Sequence, residues 1–203
     1  IGLRKFNLVF RSPGVPYNLK ELRLARGAGV EFSSATKLFF ENYRGKIVGI
    51  TGTKGKGTTA TLLYKILKAV PRLPSTKLGA GRSGQAGQKV FLAGNIGKPA
   101  LDFLPRQKKY PLAILELSSF QLQDLDKSPQ VAVILDIFPD HQDAHANLGE
   151  YYEAKANIGR FQKRNDKIFY FADNAMSRRL AMKSRARKIS VDYHKFDQFK
   201  KKD

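Results

Sequence analysis

Gly49-Ile-Thr-Gly-Thr-Lys-Gly-Lys-Gly-Thr-Thr59 is the stretch that decides the fold. An apolar run, Lys46-Ile-Val-Gly-Ile50, leads into it, and Ala60-Thr-Leu-Leu-Tyr-Lys-Ile-Leu67 leads out with helical spacing. Strand, glycine-rich turn and helix in that order are what a phosphate-binding loop requires. Glycines let the backbone turn so that successive N–H groups face one anion, and the helix N-terminus adds partial positive charge. The backbone of Gly52, Thr53, Lys54, Gly55, Lys56, Gly57, Thr58 and Thr59 is therefore the candidate cradle for the phosphates of ATP or GTP. Lys56 has the reach to meet the terminal phosphates, and Thr58 or Thr59 offers a hydroxyl to Mg²⁺. The spelling departs from G-x-x-x-x-G-K-[ST]. Gly49 to Gly55 is one residue too long, and Gly57 stands where a hydroxyl residue should follow the lysine. An empty glycine turn is the alternative, and the flanking strand and helix favour phosphate.

Outward from this loop, apolar runs fall at 47–50, 112–117, 131–137 and 168–171, with a weaker one at 188–191. Helical spacing covers 56–69, 148–161 and 174–185. Near-continuous apolar strands between helices predict an α/β fold: a mostly parallel sheet flanked by helices, of the phosphate-loop type. Upstream, the pattern predicts a strand over 6–10, a turn at Ser12-Pro-Gly14, a helix over 18–26, a strand over 30–32 and a helix over 34–42. Asn18 is the expected cap of the first helix, with Gly27 and Gly29 at its end. Residues 1–43 thus read as the latter part of a Rossmann-like domain, joined by a hinge at Tyr43-Arg-Gly45 to a second domain over 44–203. The segment 71–89 is rich in Gly, Ser and Lys and reads as a loop.

The chain has 203 residues, no cysteine, and no apolar run long enough to span a bilayer. Disulfides, thiolate metal sites and cysteine nucleophiles are thereby excluded, and a cytoplasmic location is expected. The start lacks a methionine, which suggests a fragment or a processed end. Thirty-seven Lys and Arg against 17 Asp and Glu give a net charge of +20, which makes nucleic acid a partner to weigh. The basic residues are spread along the chain with no RNA- or DNA-binding motif, so a solvated basic surface is favoured.

Ligands of such sheets bind at the carboxyl ends of strands. Glu116 closes the second run, where a buried carboxylate needs a cation, and is a candidate Mg²⁺ ligand. Asp140, His141 and Asp143 follow the third run, and His141 is a candidate metal ligand oriented by a carboxylate. By itself Gly94-Asn-Ile-Gly97 reads as an ordinary turn, and Lys155 as a solvated helix residue.

Taken together, these segments resemble the Mur ligase superfamily, ATP-dependent amide-bond-forming enzymes of peptidoglycan synthesis. Gly52-Thr-Lys-Gly-Lys56 is similar to that family's G-T-x-G-K. Ser12-Pro-Gly-Val15, Gly94-Asn-Ile-Gly97, Glu116-Leu-Ser-Ser-Phe-Gln-Leu122, Pro139-Asp-His-Gln-Asp143 and Glu150-Tyr-Tyr-Glu-Ala-Lys155 resemble further motifs in the same order. They are most similar to the branch that joins D-glutamate to UDP-N-acetylmuramoyl-L-alanine. The resemblance implies that Lys56 and the backbone of 53–59 hold ATP, and that Glu116 and His141 bind Mg²⁺. It also implies that Lys155 is a carbamylated lysine at a second Mg²⁺, and that Ser12, Asn95 and Ser118 contact the nucleotide-sugar substrate. It implies a reaction through an acyl phosphate. Family members have three domains, so the chain is expected to lack the first glycine loop and the C-terminal ligase domain, and to be inactive alone. The departures are Gly57, as in the folylpolyglutamate synthase branch, Lys54 for a common Asn, and Asp136 and Phe138 for Asn and Ser. A related ligase with another acceptor, or a nucleotide- or nucleic-acid-binding module without catalysis, remains the alternative.

Overall fold

The computed structural model describes residues 2–69, 89–104, 110–140 and 145–193. Two parallel sheets form. The small one pairs β1 (Leu8–Phe10) with β2 (Glu31–Ser33) around helix α1 (Lys20–Gly27), and α2 (Ala35–Asn42) follows. The large one holds six strands in the order β4-β5-β3-β6-β7-β8, and every pairing is parallel. These strands are β3 (Ile47–Thr51), β4 (Val90–Gly94), β5 (Leu112–Glu116), β6 (Val131–Ile134), β7 (Lys167–Phe171) and β8 (Arg187–Val191). Helices α3 (Lys56–Ala69), α4 (Ser119–Gln123), α5 (Leu148–Arg160) and α6 (Ala175–Met182) connect them.

The apolar strand runs form the large sheet because both of its faces are packed. On one face Val48, Ile50, Ile114 and Leu135 meet Ala60, Leu63 and Leu67 of α3. On the other, Ala113, Leu115, Ala132, Ile134 and Ile168 meet Leu122 of α4, Tyr151 and Ile158 of α5, and Leu180 of α6. Among the described residues α3 covers only part of its face. An apolar groove of about 460 Å³ remains, lined by Thr59, Leu63, Val133, Phe169, Phe171 and Val191.

The chain runs from central β3 out to the edge strand β4, returns to β5 beside β3, and then crosses to β6 on the other flank. That reversal makes a switch point at the carboxyl end of β3, the kind of place where ligands of such sheets bind.

One expectation is corrected. Leu19 is the N-cap of α1 and makes no side-chain cap bond, while Asn18 Nδ2 donates to Glu150 Oε1 at 2.6 Å. A long-range partner has taken the amide that local pattern assigned to the helix. At the expected hinge, Tyr43 is packed into an aromatic cluster. Tyr43 is buried, stacks on Phe39 with ring centroids 4.7 Å apart, and donates its hydroxyl to the carbonyl of Pro111. Burial pushes its phenol up to about 12. A side chain at Gly45 would strike Tyr43 and Tyr110 at 2.7 Å, so only glycine lets the chain pass this aromatic cluster.

A buried ion pair ties the turn after β1 to helix α4. The Arg11 guanidinium donates to Asp124 at 2.6 Å from Nη2 and 3.1 Å from Nε, and to the carbonyl of Phe120 at 2.9 Å. Both side chains are almost wholly withdrawn from water. The segment 71–88 lies outside the described residues, as do the basic residues 194–203.

Candidate active site

β3 ends at Thr51, and the chain turns through Gly52–Gly55 into α3. Gly55 adopts φ +79°, a conformation that L side chains rarely adopt, and this lets the loop curl. Gly52 is needed for another reason: a Cβ there would lie 2.7 Å from the Leu135 side chain. Thr53 N donates to the carbonyl of Asp136 at 2.7 Å, and Thr53 Oγ1 lies 2.9 Å from the Tyr151 hydroxyl. The loop is thus pinned to the end of β6 and to α5. Lys56 Nζ donates to the carbonyl of Thr53 at 2.9 Å, so its ammonium lies folded against the loop it would serve.

Glu116 ends β5 beside this loop and is 4% exposed. Its Oε1 accepts from Asn95 Nδ2 at 3.3 Å, and among the described residues its Oε2 has no hydrogen-bond partner. The free oxygen faces the first turn of α3, where a Cβ on Gly57 would lie 3.4 Å from it. Asn95 is held in turn. Its N–H donates to the carbonyl of Glu116 at 2.9 Å, and any side chain on Gly94, at φ +107°, would collide with that carbonyl oxygen. The Gly94–Gly97 turn, which sequence alone reads as ordinary, is therefore the clamp on the carboxylate.

Lys155 comes from the buried face of α5 and is 2% exposed, against the solvated position that its sequence context predicts. Its Nζ donates to the carbonyl of Gly52 at 2.9 Å and lies 3.4 Å from Thr51 Oγ1 and 4.9 Å from the centre of the Tyr151 ring. Burial, and next the positive charge of Lys56, lower its ammonium from 10.5 to about 7, while Asp140 and Glu116 oppose the shift. Glycine loop, carboxylate and buried lysine thus converge at the carboxyl ends of β3 and β5.

The remaining candidates are spread around this centre. Thr58 is exposed, and Thr59 lines the apolar groove. Lys54 is exposed on the loop, and His141 lies outside the described residues. Ser118 caps α4: its Oγ accepts from Gln121 N at 3.3 Å, while its own N–H donates to Gln121 Oε1 at 3.0 Å. Ser12 is exposed on the turn after β1. The neighbouring Pro13 lines a 240 Å³ cavity with Thr36, Asn95, Gly97 and Gln121, which brings the first turn and Asn95 to one place. Sequence reading gave Tyr151 no role of its own and marked Asp136 only as an acidic departure. Asp136 holds the loop by its carbonyl and accepts from the Tyr193 hydroxyl at 2.7 Å on Oδ2. The acidic residue standing in place of a common Asn was the only signal for it.

Loop, sheet and switch point define an α/β domain of the phosphate-loop class. The Mur ligase middle domain family matches residues 50–203, and the chain belongs to that family. A UDP-N-acetylmuramoylalanine–D-glutamate ligase of Acetivibrio thermocellus is 38% identical over 180 residues, covering 89% of this chain and 35% of that protein. Its counterpart in Symbiobacterium thermophilum is 36% identical over 187 residues, covering 92% of this chain and 38% of that protein. The chain therefore spans somewhat over a third of the length of these relatives. Among solved structures, the MurF ligase of Thermotoga maritima in complex with ADP is similar with a TM-score of 0.55. It is 18% identical and covers 94% of this chain and 51% of that one, a likeness of fold.

Proposed function

We propose that this chain is the ATP-handling part of a ligase that joins D-glutamate to UDP-N-acetylmuramoyl-L-alanine in cytoplasmic peptidoglycan synthesis. The observation that carries the reading is Glu116, a buried carboxylate with one oxygen clamped and the other without a hydrogen-bond partner among the described residues, facing the helix that follows the glycine loop. An anionic oxygen without a donor fits a hard cation, and Mg²⁺ is commonly held by one or two carboxylates together with substrate phosphates. Glu116 would hold that ion with His141 as its further proposed ligand, and a carbamylated Lys155 would help hold a second Mg²⁺. When bound, Mg²⁺ neutralises charge on the transferring phosphoryl group.

The chain's own residues then have separable tasks. The N–H groups of 53–59 cradle the phosphates of ATP, and Lys56 swings from the Thr53 carbonyl to their charge. Lys155, with its ammonium lowered to about 7, presents a large neutral fraction at neutral pH, and only a neutral amine adds CO₂. The substrate carboxylate takes the γ-phosphoryl group of ATP, giving an acyl phosphate and ADP. The amine of D-glutamate displaces phosphate from it. A carboxylate alone has only oxide to expel, so phosphorylation supplies the leaving group, and the protein positions and stabilises charge.

The parallel β1-α1-β2 unit supports reading residues 1–43 as part of a Rossmann-like unit for the UDP-linked substrate, with 44–203 as the ATP-binding domain. Ser12, Asn95 and Ser118 are its proposed contacts, and the cavity between Pro13 and Asn95 supports a substrate path there. The test is ADP release by the full-length protein carrying this chain, given UDP-N-acetylmuramoyl-L-alanine and one amino acid at a time. Release that depends on D-glutamate is expected. Release with a different acceptor only would replace this reading by that of a sister ligase.

A further inference from the structure

The glycine after the loop lysine has no steric cause. Gly57 is the second residue of α3, and its backbone lies outside the positive-φ region that favours glycine. A Cβ there would meet only Glu116 Oε2 at 3.4 Å and Ile96 Cγ2 at 3.9 Å, ordinary contact distances. Any small residue fits, and glycine is a poor choice inside a helix. What glycine does is leave a space beside the carboxylate oxygen that has no hydrogen-bond partner among the described residues. A serine at 57 would put its hydroxyl into that space, where phosphate loops of ordinary spelling carry a metal-binding Ser or Thr. Among the described residues neither neighbouring hydroxyl bonds to that oxygen: Thr58 is exposed and Thr59 lines the apolar groove. Asn95 is committed to the other oxygen of Glu116.

We propose that Gly57 sets the metal affinity of this site by withholding one protein ligand, so that a water stands where a hydroxyl would otherwise bind the ion. The inference rests on the metal–nucleotide reading of Glu116 given above. A site with one ligand fewer holds a divalent cation weakly and relies on the nucleotide phosphates to bring it. Restoring the hydroxyl should strengthen metal binding without altering how the loop holds phosphate.

The test uses Mn²⁺ as the probe. Its binding to this chain is followed by electron paramagnetic resonance with ADP present, for the unaltered protein, Gly57→Ser and Gly57→Ala. Gly57→Ala adds the Cβ and the helix propensity without the hydroxyl. Gly57→Ser is expected to bind Mn²⁺ about tenfold more tightly, the scale on which single groups around a metal act, with Gly57→Ala unchanged. Line broadening by ¹⁷O-water should show one water fewer on the ion in Gly57→Ser. The inference is overturned if Gly57→Ser binds no more tightly than the unaltered chain, if Gly57→Ala gains as much, or if the water count stays the same. If the unaltered chain forms no Mn²⁺–ADP complex at all, the reading of Glu116 falls with it, so the two failures are told apart.

Discussion

Lys155 offers the prediction whose magnitude the structure sets most directly. A lysine in water keeps its proton up to about 10.5, whereas burial and then the charge of Lys56 bring this one to about 7. At pH 7 about half of Lys155 is then neutral, against roughly three in ten thousand for an ordinary lysine, a gain of roughly a thousandfold. Carbamate formation consumes the neutral amine and releases a proton, so it should appear near neutrality at Lys155 before any exposed lysine. The assay is ¹³C NMR of the protein in ¹³C-bicarbonate across a pH series, with Lys155→Arg to assign the signal. A carbamate resonance with a midpoint near pH 7 is expected. Lys56→Met removes the second-largest cause of the shift, so the midpoint should move upward in that variant. A midpoint close to the ordinary lysine value, or a signal that survives Lys155→Arg, would refute the reasoning.

Other outcomes follow from the same contacts. In CO₂-free buffer, Lys155 is protonated in both folded and unfolded chains below pH 7, where the cost of burying its charge is fully felt. Between about 7 and 10.5 only the unfolded chain holds the proton, so stability should rise with pH across that window. Lys155→Met should flatten that rise in urea titrations. Arg11→Ala leaves Asp124 charged and buried, and should cost about 3–5 kcal/mol by the same measurement. Arg11→Met with Asp124→Leu should recover much of the loss. Gly94→Ala sets a side chain against the Glu116 carbonyl at φ +107°. It should lower the melting temperature and weaken metal-dependent nucleotide binding together, because the clamp on Glu116 moves.

The legible parts of this fold are those governed by local pattern. β3, the glycine loop and α3 were readable because apolar spacing changes from strand to helix across Gly52–Gly55, and the observed helix Lys56–Ala69 has the expected bounds. The third run was expected to extend to 137, but β6 stops at Ile134, where the chain leaves the ladder to contact the loop through Asp136. The short helix α4 was missed, although Ser118 and Gln121 spell a capping box that could have announced it. Lys155 and Asn18 were misjudged for one shared reason. Their partners lie about a hundred residues or more away, at Gly52 and Glu150, and no local rule reaches that far. Tyr43-Arg-Gly45 looked like punctuation because glycine often marks a turn, yet here it marks a close aromatic approach. In the site, Glu116 was legible as a costly carboxylate at a strand end. That Asn95 clamps it and Gly57 faces it required the three-dimensional register of β4 on β5.

Whether Glu116 carries a metal to the phosphates is measured most directly by calorimetric titration of ATP into this chain, with Mg²⁺ and with EDTA, for the unaltered protein and Glu116→Gln. Mg²⁺ should tighten binding to the unaltered chain, because it bridges Glu116 and the phosphates. Glu116→Gln should lose that gain and keep the metal-free affinity, since the loop and Lys56 are untouched. A Glu116→Gln chain that keeps the full Mg²⁺ enhancement, or an unaltered chain that binds no ATP, would contradict the account.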